Sequence, residues 1–140
     1  MSVFSALPES VHVVHNDLAY AIFDRYPVTL GHALVIPRRV VPTWFDATPA
    51  EQAAVLSLVD EVKSLLDARH APDGYNVGFN AGAAAGQTVM HLHVHVIPRY
   101  AGDMPDPRGG VRHVLPERGN YNVGAADWSA PPGPGGEGAP

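Results

Sequence analysis

Along the first third of the chain, hydrophobic residues come in short runs separated by turn formers. Residues 11–15 (Val-His-Val-Val-His) and 18–23 (Leu-Ala-Tyr-Ala-Ile-Phe) read as β-strands, and Asn16-Asp17 between them favours a tight turn. Pro27 interrupts the pattern. Residues 31–36 (Gly-His-Ala-Leu-Val-Ile) form a third strand, stopped by Pro37. The period then changes. Val55, Leu58, Val59, Val62, Leu65 and Leu66 recur at three- and four-residue spacing behind Thr48-Pro49-Ala50-Glu51, a capping box with proline at the first helical position. This predicts one amphipathic helix over residues 49–69, ended by the turn Pro72-Asp73-Gly74. Residues 75–80 read as a fourth strand. A loop of small residues, Ala81 to Gly86, leads to a fifth strand at 88–97, closed by Pro98. Strands, one long helix and strands again imply an α+β fold: a mainly antiparallel five-stranded sheet with the helix on one face.

Composition bounds what such a domain can be. With 140 residues, 46% of them hydrophobic and 16% charged, the chain makes one globular domain with a modest core. That domain is expected over residues 1–122. Residues 123–140, rich in glycine and proline, are expected to form a flexible tail. The net charge of −5 and the absence of a basic run argue against a nucleic-acid partner. There is no cysteine, hence no disulfide and no thiolate metal site. Neither a signal-peptide pattern nor an apolar run near the ~20 residues of a membrane span is present, so a cytoplasmic protein without membrane contact is expected.

The chemistry concentrates at residues 91–95. His91, His93 and His95 alternate with Leu92, Val94 and Val96, so a strand would place the three imidazoles on one face, about 7 Å apart, and the aliphatic residues in the core. Three readings compete. The first is a solvated face without a role. The second is a metal site, but imidazoles at alternate strand positions project side by side, and no carboxylate lies near them in sequence, so a distant ligand such as His32 would be needed. The third is nucleophilic catalysis at phosphorus, since neutral imidazole is a good nucleophile near pH 7. Gly86-Gln87-Thr88 just upstream supplies close backbone N–H groups and two side-chain donors for an anion.

Residues 87–97, Gln-Thr-Val-Met-His-Leu-His-Val-His-Val-Ile, resemble the signature of the histidine-triad (HIT) family. Residues 19–24 with Pro27, residues 31–37, and Pro98-Arg99-Tyr100-Ala101-Gly102-Asp103 resemble its fragile-histidine-triad and related bacterial branch. The likeness spans residues 3–122. It implies that His93 attacks the α-phosphorus of a nucleotide and forms a nucleotidyl-histidine, which water then hydrolyses. By the same resemblance His95 contacts phosphate and assists the leaving group, His91 orients, and His32 supports the triad from behind. Asp24 would accept the ribose hydroxyls. Asn80, Gln87 and Thr88 would lie at the phosphates, and Ile22, Phe23 and Leu34 would form the base slot. Many bacterial relatives begin with a Cys-x-x-Cys that helps hold zinc. Here Ser2-Val3-Phe4-Ser5 stands in that place, so no metal is expected on the protein.

The leading expectation is therefore a hydrolase of dinucleoside polyphosphates or of AMP esters and phosphoramidates, with Mg²⁺ or Mn²⁺, where needed, arriving on the substrate. A nucleotidyl transferase or phosphorylase is the alternative within the enzymes; related transferases carry Gln where this chain has His95. A nucleotide-binding regulator with weak hydrolysis and a metal-binding protein are the other classes. The family also implies a homodimer joined near the long helix.

Overall fold

The computed structural model describes residues 1–120 and 129. The expected boundary at residue 122 and nearly all of the expected tail fall outside them. The described residues form two compact units, divided between Pro105 and Asp106. The first carries all regular structure: β1 Val14–His15, β2 Ala19–Phe23, β3 Ala33–Pro37, α1 Pro49–His70, β4 Gly74–Gly78 and β5 Val94–Arg99. The second holds two 3₁₀ turns, Gly110–Val114 and Pro116–Arg118, and within it Arg112 donates to the Gly119 carbonyl.

The five strands form one sheet in the order β1-β2-β3-β5-β4, and every pairing is antiparallel. Asn16 builds the first turn as expected: its side-chain oxygen accepts from the N–H groups of Leu18 and Ala19. The capping box is also realised, with Thr48 Oγ1 accepting from Glu51 N–H and Glu51 Oε1 accepting from Thr48 N–H. The helix spans 22 residues, about 33 Å at 1.5 Å per residue, and ends at His70, with Ala71 left-handed in front of Pro72.

One face of the sheet packs on α1. Ala19, Ala21, Ala33, Val35, Val94 and Val96 meet Val55, Leu58, Val62 and Leu66 in the main core. The opposite face carries a second, smaller apolar cluster of Tyr20, Ile22, Leu34 and Ile36, covered by Phe4. The strands of the sheet thus separate a structural core from a second surface that is free to hold a ligand.

Several boundaries differ from the sequence reading. The first strand is shorter than 11–15, because residues Glu9–Val11 close a 3₁₀ turn. The strands expected at 31–36 and 75–80 are observed at 33–37 and 74–78. The fifth begins at Val94 instead of residue 88. The segment before it is held by other bonds: Leu92 N–H donates to Val41 O, and the Gln87 side chain fastens the preceding loop. Pro98 does not close the strand. It pairs opposite Tyr75 beyond the last β3 partner, where no ladder donor is needed from it. Trp44 stacks on Phe79 as a packing residue, whereas Phe45 is exposed and meets Phe79 only edge-on.

Candidate active site

The alternation of β5 and its approach does what the pattern requires. Leu92, Val94 and Val96 enter the core, and His93 and His95 face the other way. The imidazoles are not an even row. His93 and His95 lie 5.3 Å apart between ring centroids, close to edge-on. His91 precedes the ladder and is fully buried, with its ring turned to the end of β3 and the start of the chain.

Hydrogen bonds fix the protons of these rings. His93 Nδ1 lies 2.8 Å from the carbonyl oxygen of His91, so Nδ1 carries the proton and Nε2 carries the lone pair. A second chain runs behind His95. Val28 N–H donates to His32 Nδ1 at 3.1 Å. His32 must then bear its proton on Nε2, which lies 2.9 Å from His95 Nδ1. His95 accepts there and presents its own proton on Nε2. Burial, then the neighbouring His93 and His32 charges, push the His95 pKa down to about 4. Burial also lowers His32, with Asp24 opposing. His95 is therefore neutral at pH 7 and still a hydrogen-bond donor. One ring offers a lone pair while its neighbour offers a proton.

A cavity of about 810 Å³ opens on this face. Of the expected site residues, Ile22, Phe23, Asp24, Leu34, Asn80, Gln87, Thr88, His93 and His95 line it; His91 and His32 stand behind. Gln87 is better described as a staple of the loop than as a phosphate ligand. Its Oε1 accepts from Gly82 N–H and its Nε2 donates to the carbonyls of Pro42 and Val89. Thr88 and Asn80 are exposed on the cavity wall. Asp24 accepts from Tyr26 N–H through Oδ1, and its Oδ2 lies 3.4 Å from His32 Nε2. Gly82 and Gly86 flank the loop at φ +93°, the left-handed region that glycine adopts without strain.

The sequence reading missed the opening residues. Val3, Phe4, Leu7 and Val11 form an apolar wall of the cavity, with the Phe4 ring 5.0 Å from that of His93. Their only local signal is apolar character, because the contacts that place them are remote in sequence. Arg25 and Tyr26 also reach the rim.

Asp24, His32 and His95 bring one potential ligand atom each within 4.8 Å of one another. A cation there would need a lone pair on His32 Nε2. Val28 N–H already occupies the lone pair on Nδ1, so the proton sits on Nε2. The donor set fits a hydrogen-bond chain better than a metal ion.

A model of the HIT domain matches residues 7–102. The chain belongs to the HIT family. It is 34% identical over 129 residues to a Mycobacterium tuberculosis protein named AP-4-A phosphorylase, covering 89% of this chain and 66% of that one. It is 36% identical over 104 residues to the Schizosaccharomyces pombe bis(5'-nucleosyl)-tetraphosphatase (asymmetrical), covering 74% and 57%. The chain spans only part of these curated relatives, about two thirds or less. Among solved structures, a HIT family protein from Bacillus anthracis superposes with a TM-score of 0.67 at 33% identity, covering 72% and 74%. A zinc-bound HIT family protein from Mycobacterium smegmatis gives 0.66 at 32%, covering 74% and 78%. HIT relatives thus include proteins named as nucleotide hydrolases and as a phosphorylase. No helix among the described residues is long and apolar enough to cross a membrane.

Proposed function

We propose that this HIT protein is a nucleotidyl hydrolase that cleaves the α-phosphate linkage of dinucleoside polyphosphates or of AMP esters and phosphoramidates. The observation that carries this reading is the pair of fixed tautomers: a lone pair on His93 Nε2 beside a proton on His95 Nε2. In the first step His93 Nε2 forms a bond to the α-phosphorus. The bond to the leaving group breaks, its electron pair stays on the leaving atom, and neutral His95 donates its Nε2–H as a hydrogen bond to that atom, which leaves as an anion or takes its proton from solvent. In the second step a water oxygen attacks phosphorus, the P–N bond breaks, and its pair returns to His93. The water proton passes to solvent, and His95 keeps its Nε2–H throughout. In this reading Thr88 and Asn80, which line the cavity, steady phosphate oxygens, Asp24 accepts ribose hydroxyls, and Ile22, Phe23 and Leu34 hold the base. Any Mg²⁺ or Mn²⁺ would enter with the substrate, since the carboxylate-imidazole cluster is engaged internally. Pairing of two copies, their sheets joined across an interface that involves α1, belongs to the same reading.

The name of the mycobacterial relative favours one second reading, in which inorganic phosphate replaces water as acceptor. One experiment separates the two. Intact-mass spectrometry follows wild type and His93→Ala with diadenosine polyphosphate or an adenosine phosphoramidate, with and without inorganic phosphate. The expected result is a transient adduct of one AMP that needs His93, followed by AMP release unaffected by phosphate. ADP formed only when phosphate is present would establish the phosphorylase. AMP released by His93→Ala at the wild-type rate would refute the mechanism.

A further inference from the structure

The opening segment of the chain is knitted into a tight turn around one hydroxyl. Phe4 and Ser5 N–H groups donate to Ser2 Oγ at 3.2 and 3.1 Å, Ser2 N–H donates to Ser5 Oγ at 2.7 Å, and Ala6 N–H donates to Ser2 O at 3.1 Å. Ser2 Oγ thus spends its acceptor capacity inside the turn and keeps one proton to give. His91 Nε2 is 2.7 Å from the Pro37 carbonyl, an acceptor, so Nε2 bears the ring proton and Nδ1 must accept. Ser2 Oγ lies 2.6 Å from His91 Nδ1, against 3.4 Å to Ser5 Oγ, so the hydroxyl proton goes to the imidazole. This hydrogen bond ties the opening segment to the residue that leads into β5.

The same segment makes the apolar wall of the cavity. Phe4 packs on the Tyr20, Ile22, Leu34 and Ile36 cluster, its ring 5.0 Å from His93 and 6.0 Å from His91. His91 is therefore a two-sided anchor: one nitrogen holds the end of β3 and the other holds the arm. We propose that Ser2 is a positioning residue for ligand binding: through its bond to His91 it latches residues 2–11 as a wall of the cavity, and so sets how tightly the nucleoside is held. That the ligand is a nucleoside rests on the function proposed above. The arm makes no bond to the reacting nitrogens, and the His93 tautomer is set by a main-chain carbonyl, so the latch acts on binding and leaves the chemical step alone.

The test compares the full-length wild type with Ser2→Ala, Ser2→Thr and Phe4→Ala. AMP binding is measured by calorimetry, turnover by AMP release, and arm mobility by hydrogen exchange at the Phe4 and Ser5 amides. In Ser2→Ala, the Kd for AMP and the KM are expected to rise about tenfold, the effect of about one hydrogen bond to a buried partner, with kcat within about threefold of wild type. Exchange at the two amides should rise, and Ser2→Thr should restore both readouts. If Ser2→Ala does not fold, Phe4→Ala carries the test, with the same rise in Kd expected. An unchanged Kd in the variant tested, or a loss confined to kcat, overturns the latch. Wild type that fails to bind AMP overturns the latch together with the nucleotide reading. AMP bound equally by wild type and variant overturns the latch alone.

Discussion

Leucine in place of His32 would fill a buried site of similar bulk while removing both ring nitrogens. Two hydrogen bonds disappear, the one from Val28 N–H and the 2.9 Å bond that delivers the His32 proton to His95 Nδ1, together with the 3.4 Å contact to Asp24 Oδ2. Val28 is exposed, so its N–H can turn to water. His95 has no such substitute. Without the donor behind it, neutral His95 is free to hold its proton on either nitrogen. The catalytic form, protonated on Nε2, loses the preference conferred by one neutral hydrogen bond. That preference is about 0.5–1.5 kcal/mol, so the chemical step should slow about two- to thirteenfold. Removing the donor altogether, in His95→Ala, should slow it by about 10²–10³. With His32 acting on the chemical step through His95, the two losses should not add, and the double variant should be no slower than His95→Ala. Single-turnover AMP release from all four proteins, with thermal melts to confirm folding, measures the cycle. If His32→Leu slows the reaction by the same factor in the His95→Ala background, the donor chain is not the route of its effect.

Two further predictions concern the scaffold. The Arg39 guanidinium, followed by the Thr48 backbone N–H, holds the Glu51 carboxyl down to about 2 from an ordinary 4.5. The folded state thus favours the ionised form, and the stabilisation is complete above the ordinary range and lost as pH falls toward 2. Linkage sets a ceiling of about 3 kcal/mol, and because Arg39 is 56% exposed, Glu51→Gln is expected to lose about 1–2 kcal/mol at pH 7. Denaturant melts should show that difference shrinking at pH 3; a constant difference would refute the ion pair as its source. Gly31 sits at φ +90°, and a Cβ there would lie 2.8 Å from Leu66 Cδ2 in the core, so Gly31→Ala should destabilise by about 1–3 kcal/mol. A melt within 0.5 kcal/mol of wild type, on the order of an ordinary surface substitution, would contradict that geometry.

Most of the fold was legible because it is written in local periods. The three-four spacing from Val55 to Leu66 and the Thr48–Glu51 box specify α1 without tertiary help, and the alternation through His91–Val96 assigns each residue to its face. The start of β5 was not legible, because alternation continues through residues 88–93 although their partner is Val41 and the Gln87 staple, not a neighbouring strand. Of the residues lining the site, His93, His95, Gln87 and Thr88 were visible from alternation and the loop before them, Ile22, Phe23, Asp24, Leu34 and Asn80 only through the family signature, and the fixed tautomers not at all. They depend on bonds such as Val28 to His32 and His32 to His95, whose partners no spacing rule brings together. The Phe4 wall is hidden for the same reason, since it is placed by a bond from Ser2 to His91, 89 positions away.

The interleaving in β5 has a practical corollary. Odd positions carry the imidazoles and even positions fill the main core, so a slip of one residue would bury His93 and His95 and expose Val94 and Val96 together. Such a form would expose core residues as it buried the reactive imidazoles, so loss of the site and loss of packing go together. On the proposed function, the amount of AMP trapped in a first turnover should therefore track the number of correctly folded molecules.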